Sequence, residues 1–224
     1  MRKFVPVAAA IAASVAVVAV PATLAYAKAP VHVLTIKKTG GTAVKTGAIL
    51  KSSLKAKTSA VFTVGTSGDK LTCKAANFTA KVTANPVKPG SATESITAIS
   101  TSKCTFSGIT ATLESFKTHN LPYTATVSDA AGFPVTIKGQ SSSKPIGFGV
   151  VVDVSGVGDL TCNYQAASLK AHASNTGSTV AFKNQKFKLG AGSNGFCLAP
   201  AVFTATFGPV KDTSVTGSPA VFVN

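Results

Sequence analysis

Three histidines, seven carboxylates and four cysteines are the side chains of this 224-residue sequence that could do chemistry. His32, His119 and His172 are far apart, and none stands in a metal-spaced cluster. His32 shares a strand face with Leu34 and Ile36, which gives it a packing or edge role. Asp69, Asp129 and Asp159 stand beside Gly or in turns, where Asp bonds the local backbone. Only Glu94 and Glu114 read as strand carboxylates. A glycosidase needs two carboxyl groups facing across a groove, and a chain without Trp is poorly furnished to line one. The G-x-S-x-G turn that exposes a nucleophilic serine is absent. Gly190-Ala191-Gly192-Ser193-Asn194-Gly195 matches G-x-G-x-x-G, but that fingerprint holds a pyrophosphate only between a strand and a helix N-terminus. Here Phe196-Cys197-Leu198 and another strand follow, so it reads as a glycine-rich loop. The expectation is a non-enzymatic protein with no catalytic residue, metal or cofactor.

The cysteines carry more information. There is no C-x-x-C and no His near a Cys, which argues against zinc. Cys73, Cys104, Cys162 and Cys197 allow three disulfide pairings. A weak internal repeat chooses among them. SAVFTVGTSGDKLTC ends at Cys73 and GVVVDVSGVGDLTC ends at Cys162, each followed by a second Cys after 31 and 35 residues. Each half then closes on a Gly-x-Pro strand, at Gly132-Phe133-Pro134 and Gly217-Ser218-Pro219. Duplication selects Cys73–Cys104 and Cys162–Cys197, each bridge worth about 3–4 kcal/mol on the chain-entropy model. The repeats span about 46–137 and 138–224.

The elements that must position these groups read as strands. Tyr123, Ala125 and Val127 alternate with Thr124, Thr126 and Ser128; Ile109, Ala111 and Leu113 alternate with Thr110, Thr112 and Glu114. Gly and Pro punctuate at short intervals, and TVSDAAGFPVTI has the form of a hairpin turning at Asp129 to Gly132. ATLESFKTHN is the best helix candidate, but it is short and uncapped, and the alternation leading into it favours a strand. Pro122 marks the start of a strand in NLPYTATV. The expected fold is all-β, an antiparallel β-sandwich, either one large sandwich or two in tandem, pseudo-repeated and with two disulfides.

Before the first strand, Arg2 and Lys3 precede an apolar run from Phe4 to Val20, and Ala25-Tyr26-Ala27 fits the small-x-small cleavage pattern. Residues 1–27 are expected to be a secretory signal, leaving a secreted domain of 28–224 that begins at Lys28 and has no transmembrane segment. The even number of cysteines fits an oxidising compartment. Removal of the signal takes Arg2 with it, so the 20 basic side chains that remain are all Lys, against seven acids, for a net charge of +13. Residues 28–68 hold seven of these Lys and no acid. Lys51, Lys55 and Lys57 form one candidate polyanion-binding group; Lys186 and Lys188, facing away from Phe187 and Leu189, form another. Lys also blunts exposed sheet edges and aids solubility. Specific nucleic-acid recognition is disfavoured without Arg, which forks onto phosphate and guanine.

The stretches LTCKAANFTAKVTANPVKPGSATESITA, NLPYTATVSDAAGFPVTIKG and GPVKDTSVTGSPAVFVN resemble a family of secreted proteins from Streptomyces and related actinobacteria. The resemblance covers nearly all of the mature chain. It implies export and a β fold and supplies no site residue. It departs in the signal, where some relatives carry twin arginines and this chain has Arg2-Lys3. The leading expectation is a secreted binding or structural protein that meets anionic cell-wall polymers or membrane surfaces through its lysines. The rival is a small-ligand carrier with an interior cavity, for which a deep apolar pocket would speak; a hydrolase is third.

Overall fold

The computed structural model describes residues 29–108 and 110–224. The signal reading and its cleavage point fall on residues 1–28, outside the described residues, as does Ile109. The period-two pattern is realised as strands throughout, with no helix among the described residues. The chain runs β1 (Leu34–Ile36), β2 (Thr42–Ala43), β3 (Ile49–Ser53), β4 (Ala60–Val64), β5 (Asp69–Ala84), β6 (Ser91–Ser107), β7 (Ala111–His119) and β8 (Tyr123–Ser128). It continues through β9 (Pro134–Lys138), β10 (Ile146–Val154), β11 (Gly158–Ala166), β12 (Ser168–Ser174), β13 (Thr179–Leu189), β14 (Ala201–Phe207), β15 (Lys211–Asp212) and β16 (Val221–Val223). ATLESFKTHN is strand β7, and the β8–β9 hairpin turns where Asp129 to Gly132 were expected to turn it.

All pairings are antiparallel, but they do not make a sandwich. The order β12-β9-β8-β6-β5-β4-β14-β13 closes on itself because β13 also pairs β12, Thr179 opposite Ser174 and Phe182 opposite Ala171. Eight strands thus form a barrel. The physical reason is that closure leaves no free edge, whereas two separate sheets would leave four. Strands of the two sequence halves neighbour each other at two places on this ring, β9 beside β12 and β4 beside β14. Between β5 and β14 the wall is shared by two short strands: β4 lies along Asp69–Cys73, and β3 along Asn77–Lys81.

Strands β5 and β6 have 16 and 17 residues, too long for one small barrel. Register shifts at Thr79/Ala80 and Val82/Ala84 bend them. Their far halves, with the end of β13, frame a second compartment. There β11 pairs Tyr164 with Leu189 of β13, and β10 and β7 follow. The two disulfides are Cys73–Cys104, bridging β5 and β6 as register partners, and Cys162–Cys197, tying β11 to the glycine-rich loop before β14. Phe196 to Pro200 belong to that loop, not to the following strand, which begins at Ala201.

One end of the barrel is covered by a separate sheet in the order β16-β1-β2. Side-chain amides fasten this cap. Asn85 Oδ1 accepts from Leu34 N at 2.8 Å, and its Nδ2 donates to Leu34 O and Val44 O, both at 2.9 Å. Asn175 makes a reciprocal pair with Val223, donating to its O at 2.8 Å and accepting from its N at 2.9 Å. Within the cap, Asn224 Nδ2 donates to Thr35 Oγ1 at 2.9 Å. Leu34 is buried, so its backbone groups have no water to fall back on. The variant Asn85→Ala, which removes the partner of Leu34 N and Val44 O while Leu34 O keeps Val44 N, is expected to lose about 2–3 kcal/mol in denaturant unfolding. Amide exchange at Leu34 should accelerate while that of the β8–β9 hairpin stays protected.

Candidate functional site

The barrel wall turns alternate side chains inward, and their sum is an apolar interior. On β6 the inward set is Ala92, Glu94 and Ile96, all buried; Ser91, Thr93 and Ser95 are only half-buried. Across the ladder Glu94 stands opposite Val82 of β5 and Ala125 of β8, both buried. The interior holds a cavity of about 150 Å³. Its walls include Phe62, Ile96, Val127, Ile137 and Leu169, and the cap contributes Leu34, Val221 and Val223. Glu94 is the one carboxyl in this lining. It is 8% exposed, and burial alone pushes its pKa from 4.5 to about 7, with no hydrogen bond or ion pair among the described residues to pull it back. A second polar group on the same strand, Thr101 Oγ1, is buried in the lining without a partner. Tyr123 is also in the lining, but its hydroxyl is engaged: it accepts from Gly147 N at 3.1 Å and lies against the carbonyls of Gly147 and His119. Burial raises its pKa, and the backbone contact with Gly147 lowers it in part.

Phe62 divides the interior. Its ring lies 4.8 Å from that of Phe148 and 4.7 Å from that of Phe203, and Phe148 stacks on Phe116 at 5.1 Å. Beyond this septum the second compartment holds a cavity of about 240 Å³, lined by Leu71, Val150, Val152, Leu160 and Tyr164. Tyr164 donates to Leu198 O at 2.8 Å and so fixes the loop over that cavity; burial pushes its pKa up to about 12. The loop leaves Phe196 71% exposed. No carboxyl or amine lines this second space.

The lysines singled out from the sequence are exposed, and the structure distributes them. Lys51 is on β3, Lys55 and Lys57 are in the turn after it, and Lys186 and Lys188 are on β13. Lys51 sits directly opposite Lys211 of β15, a like-charge pair that repels and that the sequence spacing did not reveal. The histidines stay apart: His32 Nδ1 meets Asn85 O at 2.7 Å, and His172 Nδ1 meets Gly132 O at 3.2 Å. Among the described residues no cluster of three or more His, Cys, Asp or Glu could hold a metal ion.

Glu94 was legible as a strand carboxylate but not as the group inside the cavity. The available signal was its phase, since it shares the parity of Ala92 and Ile96. No family model matches the chain, and neither a curated protein nor a solved structure is similar to it.

The raised pKa fixes the sign of a stability change. Below pH 4.5 the carboxyl is protonated whether the chain is folded or not, and it has no effect. Between 4.5 and about 7 the unfolded chain ionises first, so stability falls as pH rises, by about 3 kcal/mol in total. Glu94→Gln removes the titration. It is expected to match wild type at pH 4 and to exceed it by about 2–3 kcal/mol at pH 8, measured by urea unfolding at each pH.

Proposed function

We propose that the protein is an exported carrier that holds a small, largely apolar ligand inside its barrel. The observation that carries this reading is the 150 Å³ interior cavity with apolar walls and a single ionisable group. An apolar cavity of roughly that size stays dry and takes up benzene-sized molecules, and ligand sites are typically apolar with a few polar groups for orientation. Export follows from the Arg2-Lys3, apolar-run and Ala25-Tyr26-Ala27 pattern and agrees with the two disulfides. Toluene is the first probe. It is expected to bind with a dissociation constant of about 0.1–1 mM and to raise the melting temperature in a dose-dependent way. Ala125 faces the cavity, so Ala125→Leu should fill part of it and abolish binding while the protein remains folded. Failure of toluene and similar probes to bind wild type would remove the carrier reading.

A second reading is favoured by the Lys51–Lys211 juxtaposition. Two ammonium groups held opposite each other on an exposed wall attract a polyanion that relieves their repulsion, such as a phosphate-rich wall polymer or an anionic lipid surface. Retention on purified cell walls should then exceed that of a charge-matched unrelated protein and fall steeply as ionic strength rises, because screening acts within about 8–10 Å. Neutralising Lys51, Lys55 and Lys57 should lower retention more than neutralising the exposed Lys138, Lys144 and Lys170. Equal retention of the two proteins would leave the lysines as a solubility feature.

A further inference from the structure

We propose that the ligand of the barrel is a small apolar amine, and that Glu94 recognises it by pairing its carboxylate with the ligand's ammonium group inside the cavity. This rests on the carrier reading and adds the chemistry of the head group. Glu94 is more than nine-tenths buried and faces the cavity, yet burial is the only influence on its titration: no protein donor or cation answers it among the described residues. A buried carboxyl without a partner keeps its proton, and it ionises at ordinary pH only when a cation compensates the lost hydration.

The elements around Glu94 supply no such partner. β5 offers Val82, β8 offers Ala125, Val127 and Tyr123, and the cap offers Leu34 and Val223. Tyr123 is the only other titratable group in the lining, and its hydroxyl is already bonded to backbone. No lysine lines the cavity, although the chain is rich in them. The complement that would let Glu94 ionise inside the barrel is a cation brought from outside, small enough to share about 150 Å³ with an apolar body. That describes an amine of about six to ten heavy atoms, on the scale of ligands taken by cavities of this size.

Benzylamine and toluene separate this inference from the carrier reading, because the two differ at the head group and share the ring. Binding is measured by calorimetry at pH 8, where Glu94 is ionised and an alkylammonium, with a pKa of about 10, is still charged. The expected result is benzylamine binding at least tenfold more tightly than toluene to wild type. That advantage should vanish at pH 5 and in Glu94→Gln, while toluene binding persists in both. Equal affinity of the two probes for wild type, or an amine preference that survives Glu94→Gln, overturns the inference and leaves the carrier reading standing. Absence of binding by either probe overturns both. A measurement on wild type alone guards against a variant that fails to fold. The carboxyl carbon of Glu94, followed by NMR across pH, should titrate at lower pH with benzylamine present and be unmoved by toluene. An unmoved titration with benzylamine bound refutes the pairing.

Discussion

Closure of the barrel depends on strand β13 serving two neighbours along one edge. Its first residues, Thr179 to Phe182, ladder with β12 and complete the ring, while Lys188 and Leu189 ladder with β11 and begin the second compartment. A straight strand could not do both, and β13 is not straight. Its register against β14 shifts between Phe182 and Gln185, and Asn184 adopts a φ of 51° there. Thr204 holds the bend through its hydroxyl, which accepts from Asn184 N at 3.1 Å. On the opposite wall, the shifts in β5 and β6 let the same two strands turn through both compartments. The interior that results is lined by one continuous apolar core. Phe62 and Phe148 partition it, and a cavity remains on each side.

How much of this was legible can be judged residue by residue. Alternation in YTATVS and ATLESF identified strands because each turns one face inward, buried in the first and half-buried in the second, and period two is the direct imprint of that burial. Closure was not legible, because nothing in the local pattern of β12 tells whether its second edge meets β13 or solvent. A barrel wall and a sandwich sheet demand the same alternation. The lysines could be seen to face outward, since Lys186 and Lys188 flank the buried Phe187, but the partner of Lys51 lies 160 residues away and only the ladder reveals it. Glu94 was visible as a strand residue, and its parity with Ala92 and Ile96 placed it on the apolar face. Reading it as functional required knowing that this face encloses a space and offers no partner, which is a property of seven other strands.

The energetics of Glu94 run against stability. Replacing an unpaired buried carboxyl by an uncharged group of the same shape relieves a penalty on the order of 3 kcal/mol above neutral pH. That is a large fraction of the 5–15 kcal/mol that typically separates folded from unfolded domains. Titratable groups perturbed this strongly by burial cluster at functional sites. The Thr101 hydroxyl, buried farther along the same strand without a partner, carries a smaller penalty of the same kind. Both face one cavity, and the rest of that cavity is satisfied: Tyr123 and Ser178 have their hydroxyls bonded to backbone.

On the carrier reading a ligand needs a way into the barrel, and the cap has a shorter ladder than the wall. Wall strands are held by continuous backbone ladders, so opening one breaks many hydrogen bonds at once. The sheet β16-β1-β2 has its own short ladder and joins the barrel through the side-chain amides of Asn85 and Asn175, through backbone bonds from Val33 N to Pro86 O and from Val221 N to Val210 O, and through the apolar contacts of Leu34, Val221 and Val223. Lifting it leaves the eight-strand ring intact. The free energy of that opening is set by these side-chain and backbone bonds, worth about 1 kcal/mol each, and by the apolar area uncovered. The same residues that line the cavity, Leu34, Val221 and Val223, are the ones displaced. On the carrier reading, an apolar ligand in the cavity would strengthen the cap that covers it, because both meet Leu34, Val221 and Val223.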